Sequence, residues 1–164
     1  MEALTTTNVN EPIQYIVIKL GVELYGIDIK YVDNIVRMQK ITRVPKVEKY
    51  IKGVINLRGE VIPVMSIRLK MGFEEDVYSK DTRIIILKLE QHGTIGIIVD
   101  EVKEVVTLDD AEIEKFSFDS KDEKSAWLTG IGKVNEQLIS LLELNSVLAE
   151  EFCKRGFYST YAER

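Results

Sequence analysis

The chain has 164 residues, 45% hydrophobic and 30% charged, with a net charge of −5 and a pI near 5.1. That is too apolar for a disordered protein, its acidic balance argues against a nucleic-acid partner, and no apolar run has bilayer-spanning length. Cys153 is the single cysteine, which excludes an internal disulfide and suits a reducing cytoplasm.

The opening MEALTTTNVNEP lacks the basic and apolar regions of a secretion signal and reads as a polar tail over 1–12. β-branched residues at 15–20, the turn residue Gly21 and a second run at 25–29 predict a hairpin. Ile29, Val32, Ile35 and Val36 then fall at helical spacing, which predicts a short helical turn or a tightly curved strand. Strands are expected at 53–57 and 61–65, and Ser66 is placed to cap a short helix ending at Gly72. FEEDVYSKD (73–81) reads as a linker.

The pattern then starts again. Strands at 83–89 and 95–99 flank a turn at His92-Gly93, and Val99, Val102, Val105 and Val106 repeat the helical spacing. The acids of the 100–123 stretch read as solvated loop, since they lack the alternating order of a calcium loop. Strands at 128–134 and 137–142 follow, with Asn145 as the expected cap of a helix over 146–155 stopped by Gly156. The closing Phe157, Tyr158 and Tyr161 either pack back on the first half or belong to a tail.

Two ordered matches make this an internal duplication. YGIDIKYVDNIVR (25–37) aligns without a gap with IGIIVDEVKEVVT (95–107), pairing Gly26 with Gly96, Val32 with Val102 and Ile35 with Val105. GVINLRGEVIPVMSI from Gly53 aligns with GIGKVNEQLISLLEL from Gly130. The division is therefore a first β-barrel subdomain over 13–72, the linker, a second barrel over 82–150, and a helix end and tail over 151–164. Many short strands with turns at this spacing favour small barrels over a sandwich.

Chemistry-bearing groups are sparse. His92 is the only histidine and sits in a predicted turn, where a solvated loop residue is expected. One His and one Cys cannot build a zinc site without carboxylates, and Gly130-Ile-Gly132 is an incomplete dinucleotide fingerprint. No cofactor is called for. Arg58 is the unusual residue, a cation at a Gly-containing turn inside the apolar stretch 51–67. Two readings stand on sequence alone: a surface cap of the hairpin, or a planar fork that docks another protein. The apolar clusters Val32, Ile35, Val36, Met38 and Val102, Val105, Val106 exceed what a small barrel can bury, so part of each is expected to form an exposed binding patch.

Several motifs in order, YGIDI with its trailing V-x-x-I, KGVINLRG followed by VIPV, GIIVDEV and LTGIG, resemble the CheW-like family of chemotaxis coupling proteins over 13–150. The resemblance implies two intertwined SH3-like β-barrels and a non-enzymatic adaptor. It implies as partners the cytoplasmic tips of methyl-accepting chemoreceptors and the regulatory domain of the histidine kinase CheA, whose matching barrel lets contacts alternate into rings. Positions matching Val32, Ile35 and Arg58 are implied in receptor binding, and those matching Val102 and Val105 in kinase binding. The protein would be cytoplasmic, joined to the membrane-bound array through its partners without inserting itself. Arg83 departs from the family, which is commonly apolar there. Alternatives are an adaptor of another chemosensory system, such as twitching motility, or a small β-barrel ligand-binding protein or enzyme with a polar pocket.

Overall fold

The computed structural model describes residues 11–115 and 127–148; the expectations placed on residues 1–10, on Cys153 and Gly156, and on the closing aromatics lie outside them. Among the described residues the chain is mainly β. Strands β1 (Ile13–Leu20) and β2 (Glu23–Asp28) form a hairpin, and a 3-10 turn (Ile29–Tyr31) leads to β3 (Val32–Arg37). A second hairpin, β4 (Ile51–Leu57) and β5 (Glu60–Ser66), runs into the short helix α1 (Ile67–Lys70). Beyond 73–81 come β6 (Arg83–Leu89), β7 (Gly93–Val99) and β8 (Glu101–Leu108). A 3-10 turn (Asp110–Glu112), β9 (Ile113–Glu114), β10 (Leu128–Val134) and β11 (Gln137–Leu142) follow, with a helix α2 described at 144–148.

The strands sort into two sheets, β8-β1-β2-β11-β10-β9 and β3-β6-β7-β5-β4. Neither sheet is built from residues 13–72 or 82–150 alone. Each half contributes its opening hairpin to the sheet that holds the other half's later strands. The exchange is reciprocal: β11 runs parallel to β2 with Leu141 opposite Gly26, and β5 runs parallel to β7 with Val64 opposite Gly96. These are the glycines that the duplication aligns. A Cβ on Gly26 would meet Leu141 Cδ2 at 2.7 Å, and one on Gly96 would meet Ile84 Cγ2 at 2.9 Å, so at both places a packed side chain would have to shift to admit anything larger than glycine.

Each sheet then closes on itself. After β3 the chain crosses to the far edge, where Thr42 and Val54 exchange two backbone hydrogen bonds of 2.8 Å. After β8 it does the same through β9, which pairs with Ile131 and Gly132 of β10. Closure removes exposed sheet edges. It also brings backbone against backbone at Gly53, whose Cβ would lie 2.0 Å from Thr42 O, and at its duplicate Gly130, whose Cβ would lie 2.8 Å from Glu114 O.

The packing explains the unbroken β-branched runs. On β1, Tyr15 and Val17 enter one barrel with Val106, Leu108, Ile139 and Leu141, whereas Ile16, Ile18 and Leu20 face a central cluster between the sheets. On β6, Ile84 and Ile86 enter the other barrel with Ile55, Ile62, Val64 and Ile98, whereas Ile85, Leu87 and Leu89 face the centre. A strand buried on both faces has no polar side to show. α1 and α2 close the central cluster with Ile67, Leu144, Val147 and Leu148.

Ser66 caps α1 as its sequence predicts, its hydroxyl accepting from the Leu69 N–H at 3.2 Å. α2 begins earlier than expected: the Ser146 and Val147 N–H groups both donate to Glu143 O, so Asn145 is inside the helix and not its cap. The buried i, i+3, i+4 set of Leu144, Val147 and Leu148 sets that start. Arg83 spends its charge locally, donating from Nη1 to the Lys80 and Thr82 carbonyls. His92 is 4% exposed, so the expected solvated histidine is corrected to a buried one, and burial lowers its pKa below the ordinary 6.5. Of the acidic stretch, Asp109, Asp110, Glu112 and Glu114 are exposed as expected, whereas 101–108 is strand β8.

Candidate protein-docking surfaces

β3 and β8 are the duplicated strands that carry four of the five expected site residues. The i, i+3 spacing of Val32/Ile35 and Val102/Val105 comes from a β-bulge, so of the two expected forms, helical turn or curved strand, these residues take the strand. Asp33 is the extra residue between Val32 and Asn34 in the register with β6, and Lys103 is the extra residue between Val102 and Glu104 in the register with β1. One inserted residue changes a period of two into a local period of three, so both apolar side chains share a face. The preceding 3-10 turn of the first copy adds to the helical impression; Asp28 caps it by accepting from the Lys30 N–H.

The face they share is the central one. Val32 and Ile35 lie opposite Leu87 and Ile85 and are half-buried against the central cluster, as is Val102. Val36 and Met38 pack instead on the small core of the β3-β6-β7-β5-β4 barrel. Val106 is buried, and Val105 is 51% exposed. The expected apolar patches are therefore thinner than the clusters in the sequence, with Val105 the most open member. The bulged residues themselves face water with opposite charges: Asp33 lies 3.6 Å from Lys88, and Lys103 lies 3.6 Å from Glu101.

Arg58 sits apart from both, at the tip of the β4–β5 hairpin. Arg58 and Gly59 have φ of 55° and 86°, the two positive values of a type I′ turn. The Gly59 N–H donates to Asn56 Oδ1 at 3.0 Å, so Asn56 braces the turn. Arg58 is exposed, and among the described residues its guanidinium makes no ion pair. The duplicate tip has Asn135 and Glu136 at φ 49° and 68°. On the same two hairpins Val61 is 52% and Leu138 is 63% exposed. Sequence reasoning aligned these two residues but missed their exposure. Strand alternation was the available signal, because Ile62 and Ile139 point inward beside them.

Burial and donation to Glu23 raise the Tyr25 phenol well above its usual range, and burial raises Asp76 against the opposing pull of Ser66, Lys52 and Arg68. Among the described residues no group of three His, Cys, Asp or Glu is arranged to hold a metal ion, and no helix is long and apolar enough to cross a membrane.

These features match known proteins. The family model of the CheW-like domain matches residues 14–152. The chain is 38% identical over 127 residues to the chemotaxis protein CheW of Bacillus subtilis, covering 77% of this chain and 81% of that protein. It is 32% identical over 138 residues to the CheW of Klebsiella aerogenes, covering 84% and 82%. The crystal structure of the scaffolding protein TtCheW from Thermoanaerobacter tengcongensis superposes with a TM-score of 0.75 at 36% identity, over 83% of this chain and 92% of that one. Two intertwined SH3-like barrels of this origin, with these motifs on them, place the chain in the CheW-like domain family.

Proposed function

We propose that this protein is a chemotaxis scaffold that couples methyl-accepting chemoreceptors to the histidine kinase CheA and performs no catalysis itself. The observation that carries the reading is the duplicated bulged strand, presented once on each barrel of a CheW-like chain with opposite charge at the bulge. Two related but electrostatically distinct surfaces suit two partners. In this reading Val32 and Ile35 receive the helical receptor tip, an apolar helix face against a shallow groove, and Arg58 adds a separate contact from the β4–β5 hairpin tip. Val102 and the exposed Val105 dock the regulatory barrel of the kinase. The protein would act in the cytoplasm, held at the receptor array by these contacts.

The test is kinase autophosphorylation with receptor-bearing membranes, with and without the protein, beside separate pull-downs of receptor and kinase. Val32→Asp is expected to weaken receptor capture while leaving kinase binding within a few fold. Val105→Asp is expected to do the reverse. Equal loss of both partners in either variant, with an intact circular dichroism spectrum, would sink the two-surface assignment. Kinase activity that ignores the protein altogether would favour a ligand-binding or other chemosensory role.

A further inference from the structure

The segment that closes each barrel is the same piece of architecture twice, yet its charge is inverted. Between the end of β3 and the Thr42 bridge the chain reads RMQKITR (37–43), with Arg37, Lys40 and Arg43. Between the end of β8 and the β9 pairing it reads TLDDAEIE (107–114), with four acids. The fold therefore does not require cations at this place. Among the described residues none of the three cations is ion-paired.

Two open depressions flank this segment. One, of about 460 Å³, sets Lys40 and Arg43 beside Met38, Ile41 and Tyr78, with Lys52 at its edge already paired to Glu75 at 3.0 Å. The other, of about 580 Å³, shares Met38 and is lined by Arg37, Lys80 and the internally bonded Arg83, with one acid, Asp81. Together they form a basic trough on a molecule whose net charge is −5.

We propose that this trough binds an acidic, extended segment of a partner protein, with an apolar side chain on Met38 and Ile41 and carboxylates on Arg37, Lys40 and Arg43. The mixture of apolar floor and arginine forks fits such a peptide. A second copy of this chain is a poorer occupant, because its acidic rim is engaged internally: Glu112 accepts from the Asp109 N–H at 2.8 Å and Asp110 pairs with Lys115 at 3.0 Å. A bilayer is also poorer, since the cations line concavities and the whole molecule would be repelled by anionic lipid. The site adjoins the proposed receptor surface, since Arg37 ends β3, but uses none of the receptor- or kinase-binding residues proposed above.

The probe is a fluorescein-labelled peptide of glutamates interrupted by one leucine and one phenylalanine, followed by anisotropy at several salt concentrations with the full-length protein. Binding is expected to weaken with salt, to vanish when glutamine replaces glutamate, and to fall about tenfold or more in Arg37→Glu/Lys40→Glu/Arg43→Glu. If that variant loses its cooperative melting, single Lys40→Ala and Arg43→Ala replacements serve, each expected to cost about two- to threefold. Unchanged affinity in these variants, or for the glutamine peptide, would overturn the proposal. So would co-sedimentation with phosphatidylserine vesicles in the absence of peptide binding, or a self-association that the charge reversal abolishes.

Discussion

At the scale of single residues, Arg58 and the glycines answer different questions. A left-handed conformation costs an ordinary residue about 1 kcal/mol, whereas asparagine tolerates it. The duplicate tip places Asn135 where the first has Arg58, at nearly the same φ. Arg58→Asn is therefore expected to keep or raise thermal stability, by up to about 1 kcal/mol, while weakening receptor capture. Loss of stability would mean that the guanidinium supports the hairpin, and retention of full capture would mean that it faces no partner. The glycines at the barrel seams are structural in a graded way. Gly53→Ala drives a Cβ into the Thr42 carbonyl, a backbone group that can move only if the closure opens, and should cost about 3 kcal/mol or more. Gly26→Ala presses on Leu141 and Ile139 side chains and should cost about 1–3 kcal/mol. Gly59→Ala meets nothing within 4 Å and pays only for its positive φ, about 1 kcal/mol. Urea denaturation of the three variants should show that order, and a Gly53→Ala as mild as Gly59→Ala would refute the closure argument.

At the scale of elements, the β6–β7 turn carries a titratable group that sequence reading placed in water. His92 is buried with its pKa lowered by desolvation. The unfolded chain therefore binds a proton near pH 6.5 before the folded one does. Its contribution to stability is full above that value and is lost as pH falls toward the folded pKa. The melting temperature of the natural chain should drop more steeply between about pH 7 and pH 5 than that of His92→Gln, and parallel profiles would show that the histidine titrates as if exposed. Turn signals at His92-Gly93 locate the reversal but do not say that the histidine side chain folds back. The hairpins and the Ser66 cap of α1 were legible in this chain because they rest on neighbours in sequence, whereas the start of α2, set by burial of Leu144, was not. Nor were the bulges. Val32/Ile35 and Val102/Val105 mimic a helical period, and only the register against β6 and β1 reveals Asp33 and Lys103 as insertions. The candidate site was legible as a set of residues, but its depth was not, since the burial of Val32 and Ile35 depends on Ile85 and Leu87, some fifty positions away.

At the scale of the molecule, the reciprocal exchange of hairpins makes the two halves mutually dependent. β1–β2 is flanked by β8 and β11, and β6–β7 by β3 and β5, so neither half holds a complete sheet. A half on its own would expose both faces of its opening hairpin, including Ile16, Ile18 and Leu20 or Ile85, Leu87 and Leu89, which are at most 4% exposed in the whole. Leaving side chains of this size in water forfeits roughly 1.5–3 kcal/mol each, beyond what a small domain has to spare. Polar contacts also cross between halves: Asp100 Oδ2 accepts from the Gly21 N–H at 2.7 Å and from Arg68 Nη1 at 2.6 Å. The covalent link between the halves, by contrast, is an irregular segment whose Val77 is 86% exposed. Cutting it should therefore matter little, whereas separating the halves should matter a great deal. Fragments 1–78 and 79–164 expressed alone are expected to show no cooperative thermal transition. Mixed in equal amounts they should associate and recover the β-sheet spectrum, a single transition and the fluorescence of Trp127, whose tryptophan is unique in the chain. A protease site engineered at the link should leave the cleaved protein eluting as one species. A cooperative transition in either fragment alone would show that a barrel can be completed within one half, contrary to the strand order.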